Sequence, residues 1–215
     1  MKFVFICEFN KNVGLGHFDR CLNFADFLRN NDHDCSFLTF NSEKKLIKSF
    51  DVYKNYNFNN IPEKLLNHQE VVNFYNYVRK FRPDYLIFDS YKIKYNFYKK
   101  FSKFNINTIV IADFINKKYF CDLLINPNSN NNFFNKKNNS YSISGLSYQF
   151  TNTKLFKKNI SKDVCKSALV YLGSTKKINF IKKILRKLRL FFNENLTFKI
   201  ILKDNRIFKE KFIKQ

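Results

Sequence analysis

Glycine and proline are nearly missing from this sequence, with four Gly and three Pro in 215 residues. That shortage excludes collagen-like and Pro-rich linker classes and argues against a turn-dense all-β fold. No uninterrupted apolar run reaches the roughly 18–20 residues that a membrane span needs. The strand-like start Lys2–Cys7 is too short for a signal-peptide core and is followed by Glu8. A soluble cytoplasmic protein with no membrane partner is the expectation. Cysteine is present, but not in a usable pattern. Cys7, Cys21, Cys35, Cys121 and Cys165 are odd in number and form no C-x-x-C pair, so neither a disulfide framework nor a zinc site is expected.

Acidic side chains are also scarce. There are 17 Asp+Glu against 39 Lys+Arg, a net charge of +22. The lysines are spread along the chain instead of forming one stripe. No zinc-finger spacing, RNA-recognition aromatic motif or basic-zipper heptad accompanies them. The densest basic segment, 182–190, alternates charge with apolar residues at helical spacing and reads as a solvated helix face. Lys, Asn, Phe, Ile and Tyr are over-used together, so the charge reads as a composition bias and not as a nucleic-acid surface, while its positive field still favours an anionic small molecule.

What is abundant is core-forming material, with 45% hydrophobic and 19% aromatic residues. Strand and helix signals alternate: strand Lys2–Cys7, helix His17–Leu28, strand Cys35–Phe40 and a short helix capped by Ser42 through Ile47. Helix Val71–Phe81 follows, then strand Tyr85–Asp89, helix Tyr95–Phe104 and the strands Thr108–Ala112 and Leu123–Ile125. Continuous apolar strands in this rhythm predict a parallel sheet covered on both faces. An Asn-rich loop over Pro127–Ser140 comes next. After a polar stretch the rhythm restarts with strand Ser167–Leu172, turn Gly173–Thr175, helix Ile178–Phe192, strand Leu196–Leu202 and the start of another helix. The expected organisation is a domain over 1–156, a linker over 157–166 and an incomplete second domain over 167–215.

The sharpest local feature is Gly14-Leu15-Gly16-His17, between the first strand and the first helix. Such a joint brings backbone close to a ligand, and a helix N-terminus favours anions. The third glycine of a dinucleotide fingerprint is absent, since Asp19 stands there. His17 is a candidate acid or base at the carboxyl end of a parallel sheet, with a cap or a solvent-facing side chain as the plain alternative. His33 and His68 lie in polar segments and carry no signal. Asp89 and Asp113 follow apolar strands, with Tyr91 two residues past the first; such carboxylates face a crevice or cap the next helix.

Glu8, Gly14-Leu15-Gly16-His17, Arg20-Cys21-Leu22 and Ala25 resemble the N-terminal motif of the nucleotide-sugar hydrolases of pseudaminic acid biosynthesis. These are the UDP-2,4-diacetamido-2,4,6-trideoxy-β-L-altropyranose hydrolases, with the related spore-coat polysaccharide proteins. The resemblance continues in order through Ile87-Phe88-Asp89-Ser90-Tyr91, Ala112-Asp113, Cys121-Asp122-Leu123-Leu124-Ile125-Asn126, Gly145-Leu146-Ser147-Tyr148 and Gly173-Ser174-Thr175. It implies an α/β, GT-B-like fold of two Rossmann-like domains, the second incomplete. It implies hydrolysis of a UDP-activated diacetamido sugar with inversion, needing no metal or cofactor. His17 and Tyr91 become the implied catalytic residues. Glu8, Gly14, Gly16, Arg20, Asp89 and Asp113 become substrate ligands, and Gly173, Ser174 and Thr175 contact nucleotide. The sequence departs from the pattern at Ile6, where Arg is usual, at Glu8, where Asp is usual, at Asn152 and at Lys176. The family's second domain continues beyond what is present here, so a truncated copy with impaired activity is expected. A glycosyltransferase relative and a non-catalytic nucleotide- or sugar-binding remnant are the alternatives.

Overall fold

The computed structural model describes residues 1–8, 15–40, 55–113, 119–128, 133–135, 140–150, 167–171, 178–189, 197–201 and 207–210. The chain divides into two compact units, Met1–Leu155 and Phe156–Gln215. The expected helix after Ser42, the turn Gly173–Thr175 and the linker 157–166 lie outside the described residues, as do Gly14, Asn152 and Lys176.

In the first unit, strands β1 (Lys2–Glu8), β2 (Asp34–Phe40), β3 (Asn57–Asn60), β4 (Tyr85–Asp89), β5 (Asn107–Ile111), β6 (Leu123–Asn126), β7 (Phe133–Asn135) and β8 (Ser140–Ser144) form one sheet. Their order is β3-β2-β1-β4-β5-β6-β8-β7, parallel except for the β7–β8 pair. Strand order reverses between β1 and β4. In open parallel sheets the crevice beyond the carboxyl ends at such a reversal is the usual place for a ligand.

The strands are apolar on both faces because helices cover both. Phe3, Phe5 and Cys7 of β1, with Ile87 and Ile109, pack under helix α1 (Gly16–Arg29) through Phe18, Cys21, Leu22, Ala25 and Leu28. The alternate residues Val4 and Ile6, with Leu86, Phe88 and Val110, pack under α2 (Val71–Val78) and α3 (Tyr95–Phe101). An aromatic knot fills the second layer. Phe74 is fully buried, its ring centroid 5.2 Å from Phe97 and 5.3 Å from Phe101, both edge-on.

Four differences from the sequence reading stand out. The helix expected over Val71–Phe81 ends at Val78 and tightens into a 3-10 turn, Arg79–Phe81, before Pro83. Strand β3 has the sequence Asn-Phe-Asn-Asn, a poor strand former, and is held by parallel pairing to β2. Phe133–Asn135, inside the Asn-rich segment, pairs antiparallel with β8. Near the chain end, where a helix is expected, Ile207–Glu210 is instead a strand.

The second unit holds β9 (Ser167–Tyr171), α4 (Ile178–Arg189), β10 (Thr197–Ile201) and β11 (Ile207–Glu210). β9 and β10 are parallel, and β11 adds antiparallel to β10, an edge that supplies ladder partners no short segment can provide alone. On α4, Leu185 is buried while Lys182, Lys183, Arg186 and Lys187 are exposed. Among the described residues no helix is long and apolar enough to cross a membrane.

Candidate functional site

Register decides which strand-end residues meet. Cys7 of β1 lies level with Asp89 of β4, and neighbouring residues in a parallel ladder point to the same face. Asp89 therefore turns toward α1, whose first turns carry His17 and Arg20. Glu8, one residue further along β1, turns to the opposite face. There its Oε1 accepts a hydrogen bond from Ser90 Oγ at 2.8 Å, and its Oε2 lies 3.6 Å from Lys92 Nζ. The Lys92 amide in turn donates to Ser90 Oγ at 3.0 Å. Glu8 thus braces the 90–92 turn that carries Tyr91, without standing beside His17.

Asp89 is fully buried, yet every lone-pair direction finds a donor. Its Oδ1 accepts from His17 Nδ1 at 2.6 Å and from Arg20 Nη2 at 2.5 Å. Its Oδ2 accepts from Arg20 Nε and, at 3.6 Å, from the Cys21 thiol. Arg20 Nη1 reaches on to Asp113 Oδ1 at 2.6 Å. Asp113 Oδ2 accepts the Tyr91 hydroxyl, and its Oδ1 also accepts from Asn128 Nδ2 at 3.2 Å. The Tyr91 ring stands edge-on to the His17 ring, with centroids 4.4 Å apart. His17, Asp89, Arg20, Tyr91 and Asp113 thus form one network at the strand-order reversal.

The geometry fixes the imidazole. His17 Nδ1 has a carboxylate oxygen at 2.6 Å and a guanidinium nitrogen at 3.1 Å. That guanidinium nitrogen already donates to Asp89, so the short carboxylate contact places the proton on Nδ1. Nε2 then carries the lone pair and has no hydrogen-bond partner among the described residues. This is the arrangement in which a carboxylate orients a histidine as a general base.

Burial and the hydrogen bonds of the network shift the pKa values of several surrounding groups. Burial opposes the charge of Arg20, but the hydrogen bonds and charges of Asp89 and then Asp113 outweigh it and raise its pKa further. Burial works against the Asp113 carboxylate too, yet its bonds from Arg20 and Tyr91 hold its pKa below the usual value. Burial and the Asp113 bond push the Tyr91 phenol up, so it donates and does not act as a base. Cys21 is driven up by burial, then by its contact with Cys7 and the charge of Asp89, which keeps it a thiol donor.

The N-terminus of α1 has no side-chain cap among the described residues. Leu15 occupies the cap position and makes no side-chain cap, so the first-turn amides at Gly16 and His17 are not consumed by a side chain. A methyl group built on Gly16 would meet nothing within 4 Å. Packing among the described residues thus does not demand the glycine. Away from this network, a pocket of about 460 Å³ is lined by Glu63, Lys64, Leu66, Asn67, His68, Lys92, Lys94 and Asn96; none of the five network residues lines it.

Of the residues singled out in the sequence, His17, Arg20, Asp89, Tyr91 and Asp113 come together, Gly16 adjoins them and Glu8 faces away. Gly14, Gly173, Ser174 and Thr175 fall outside the described residues. Asn128 and Cys21 join the network without having been picked as site residues. The position of Asn128, two residues past the end of β6, is the strand-end signal that marks Asp113, but the Asn-rich segment around it masks it.

No protein-family model matches the chain, and none of the curated proteins does. Among solved structures it is similar to MurG of Acinetobacter baumannii, with a TM-score of 0.58 at 11% sequence identity, covering 94% of this chain and 60% of that one. The chain therefore spans about 60% of the length of that structure. At this identity the likeness is one of fold: an α/β architecture of the GT-B class.

Proposed function

We propose that this chain belongs to a nucleotide-sugar hydrolase, with His17 as the general base for attack of water on the anomeric carbon of a UDP-activated diacetamido-trideoxy sugar. The observation that carries the reading is the His17–Asp89 pair at the strand-order reversal of a GT-B-class sheet. Nε2 takes a proton from water as its oxygen bonds to the anomeric carbon. The bond from that carbon to the diphosphate breaks, and UDP leaves with the electron pair. Attack from the face opposite the leaving group inverts the centre. UDP departs as a stable anion, so orientation of the water and stabilisation of developing charge carry the reaction. The uncapped amides of α1 suit an anionic diphosphate. The resemblance of Gly14–His17 and Asp89–Tyr91 to the pseudaminic acid hydrolases supplies the substrate class.

A second reading is a glycosyltransferase, favoured by the likeness to MurG, a GT-B glycosyltransferase. The two part on one point: a hydrolase releases UDP with no acceptor sugar, whereas a transferase needs one.

Gly16 offers a test free of folding artefacts. An added methyl meets nothing among the described residues, and alanine is the better helix former, so Gly16→Ala is expected to leave stability unchanged or raise it by up to about 1 kcal/mol. If substrate approaches the α1 backbone there, the added methyl raises KM for the UDP-sugar. Thermal melts and initial-rate kinetics on the same variant check both halves; an unchanged KM would remove the α1 N-terminus from the substrate site.

A further inference from the structure

We propose that the pocket between the 3-10 turn Glu63–Leu66 and the loop after β4 is a second ligand site, one that takes the phosphate group of a small phosphorylated molecule. The site is separate from the His17 network, none of whose five residues lines it, and it does not depend on the reaction at His17. Its two walls follow the ends of β3 and β4. Leu66 and Ile93 are buried in the same apolar core and pin those walls to the sheet. With Ile93 turned inward, Lys92 and Lys94 on either side of it are exposed and line the pocket. The cavity of about 460 Å³ falls within the roughly 300–1,000 Å³ usual for small-molecule sites.

The charge inventory selects the ligand. Lys92 Nζ donates to Glu63 Oε1 at 2.9 Å and lies 3.6 Å from Glu8 Oε2. Lys92 is therefore spent on two carboxylates; it holds the two walls together and answers the charge of Glu63. Lys64 and Lys94 have no ion-pair partner among the described residues. Two unpaired ammonium groups suit a phosphate monoester, which carries about −1.5 to −2 at neutral pH, whereas a carboxylate would leave one of them uncompensated. The neutral lining donates as well. Asn67 Oδ1 accepts the Gln69 amide at 3.2 Å, which leaves the Asn67 Nδ2 donor unspent, and the side chains of His68 and Asn96 have no partner among the described residues. Phosphate oxygens accept hydrogen bonds, so a lining of donors fits them. A cation would sit against Lys64 and Lys94, and an apolar ligand would find only Leu66 among the lining residues. The net charge of +22 draws anions toward the chain in the first place.

The test is a calorimetric titration of the full chain with glucose 6-phosphate at constant ionic strength, with glucose as the control. Saturable binding of the phosphorylated sugar and none of glucose is the expected result. Lys64→Ala and Lys94→Ala should each weaken binding by about tenfold, and the double variant by about 10²-fold. Both lysines are exposed, so neither substitution should shift the melting temperature. His17→Ala should bind as the wild type does. Imidazole NMR locates the ligand, with the ring signals assigned by their loss in His68→Gln and His17→Gln: those of His68 should move on titration while those of His17 stay. The proposal is overturned if the wild type shows no saturable binding, if glucose binds equally well, or if the double lysine variant keeps wild-type affinity. Binding lost in His17→Ala, or ring signals that move at His17 and not at His68, would overturn it too by placing the phosphate at the network. Because no turnover is measured, failure of the hydrolase reading leaves this result untouched.

Discussion

Replacing His17 by alanine should lower UDP release by about 10²–10⁴-fold while leaving the circular dichroism spectrum native. The loss follows from removing the lone pair on Nε2, the basic atom of the network with no partner among the described residues. The fold should survive because Asp89 keeps the Arg20 fork and the Cys21 thiol when the imidazole is gone, so no buried charge is stranded. Rate and spectrum must be measured on the same preparation. Undiminished release from a natively folded variant would remove His17 from the chemistry.

Asp89→Asn should be more damaging, because it strikes fold and chemistry together. The amide nitrogen would have to face one of two edges already lined by donors: Arg20 Nη2 and His17 Nδ1, or Arg20 Nε and the Cys21 thiol. Arg20, 18% exposed, would keep only Asp113 as a charged partner. Breaking a buried pair from one side costs about 3–5 kcal/mol. At about 2–4 °C per kcal/mol for a chain of this size, the melting temperature should fall by about 6–20 °C. The imidazole would lose the acceptor that selects its tautomer, a change that costs on the order of 10⁴-fold in kcat in a Ser-His-Asp triad. Scanning calorimetry and initial rates below the transition check the two effects separately. A variant as stable as the parent would contradict the buried clamp described here.

Much of this site is legible in the sequence because it stands at strand ends. An apolar run that stops at a carboxylate, as at Phe88-Asp89 and Ala112-Asp113, marks both the edge of the sheet and the crevice. Two things escape that rule. The first is the face. Glu8 ends β1 just as Asp89 ends β4, but the ladder sets Cys7 and not Glu8 level with Asp89, and a shift of one residue sends a side chain to the other face. Register is a property of two strands and cannot be read from either alone. The second is pairing that overrides propensity. Asn57–Asn60 and Phe133–Asn135 are strands because β2 and β8 offer them ladder partners, while their asparagines read as loop. The same override accounts for Ile207–Glu210, a strand on the edge of β10 where the local pattern suggests a helix.

In the proposed reaction, water activated at His17 attacks the anomeric carbon of a UDP-linked sugar. Incubating the chain with a UDP-diacetamido-trideoxy sugar in 18O-enriched water, with no acceptor present, tests it most directly. The account predicts UDP and free sugar in equal amounts, the label in the sugar alone, an inverted anomer in the first product observed, and loss of all three in His17→Ala. Label appearing in the UDP phosphate, or turnover that begins only when an acceptor sugar is added, would contradict it.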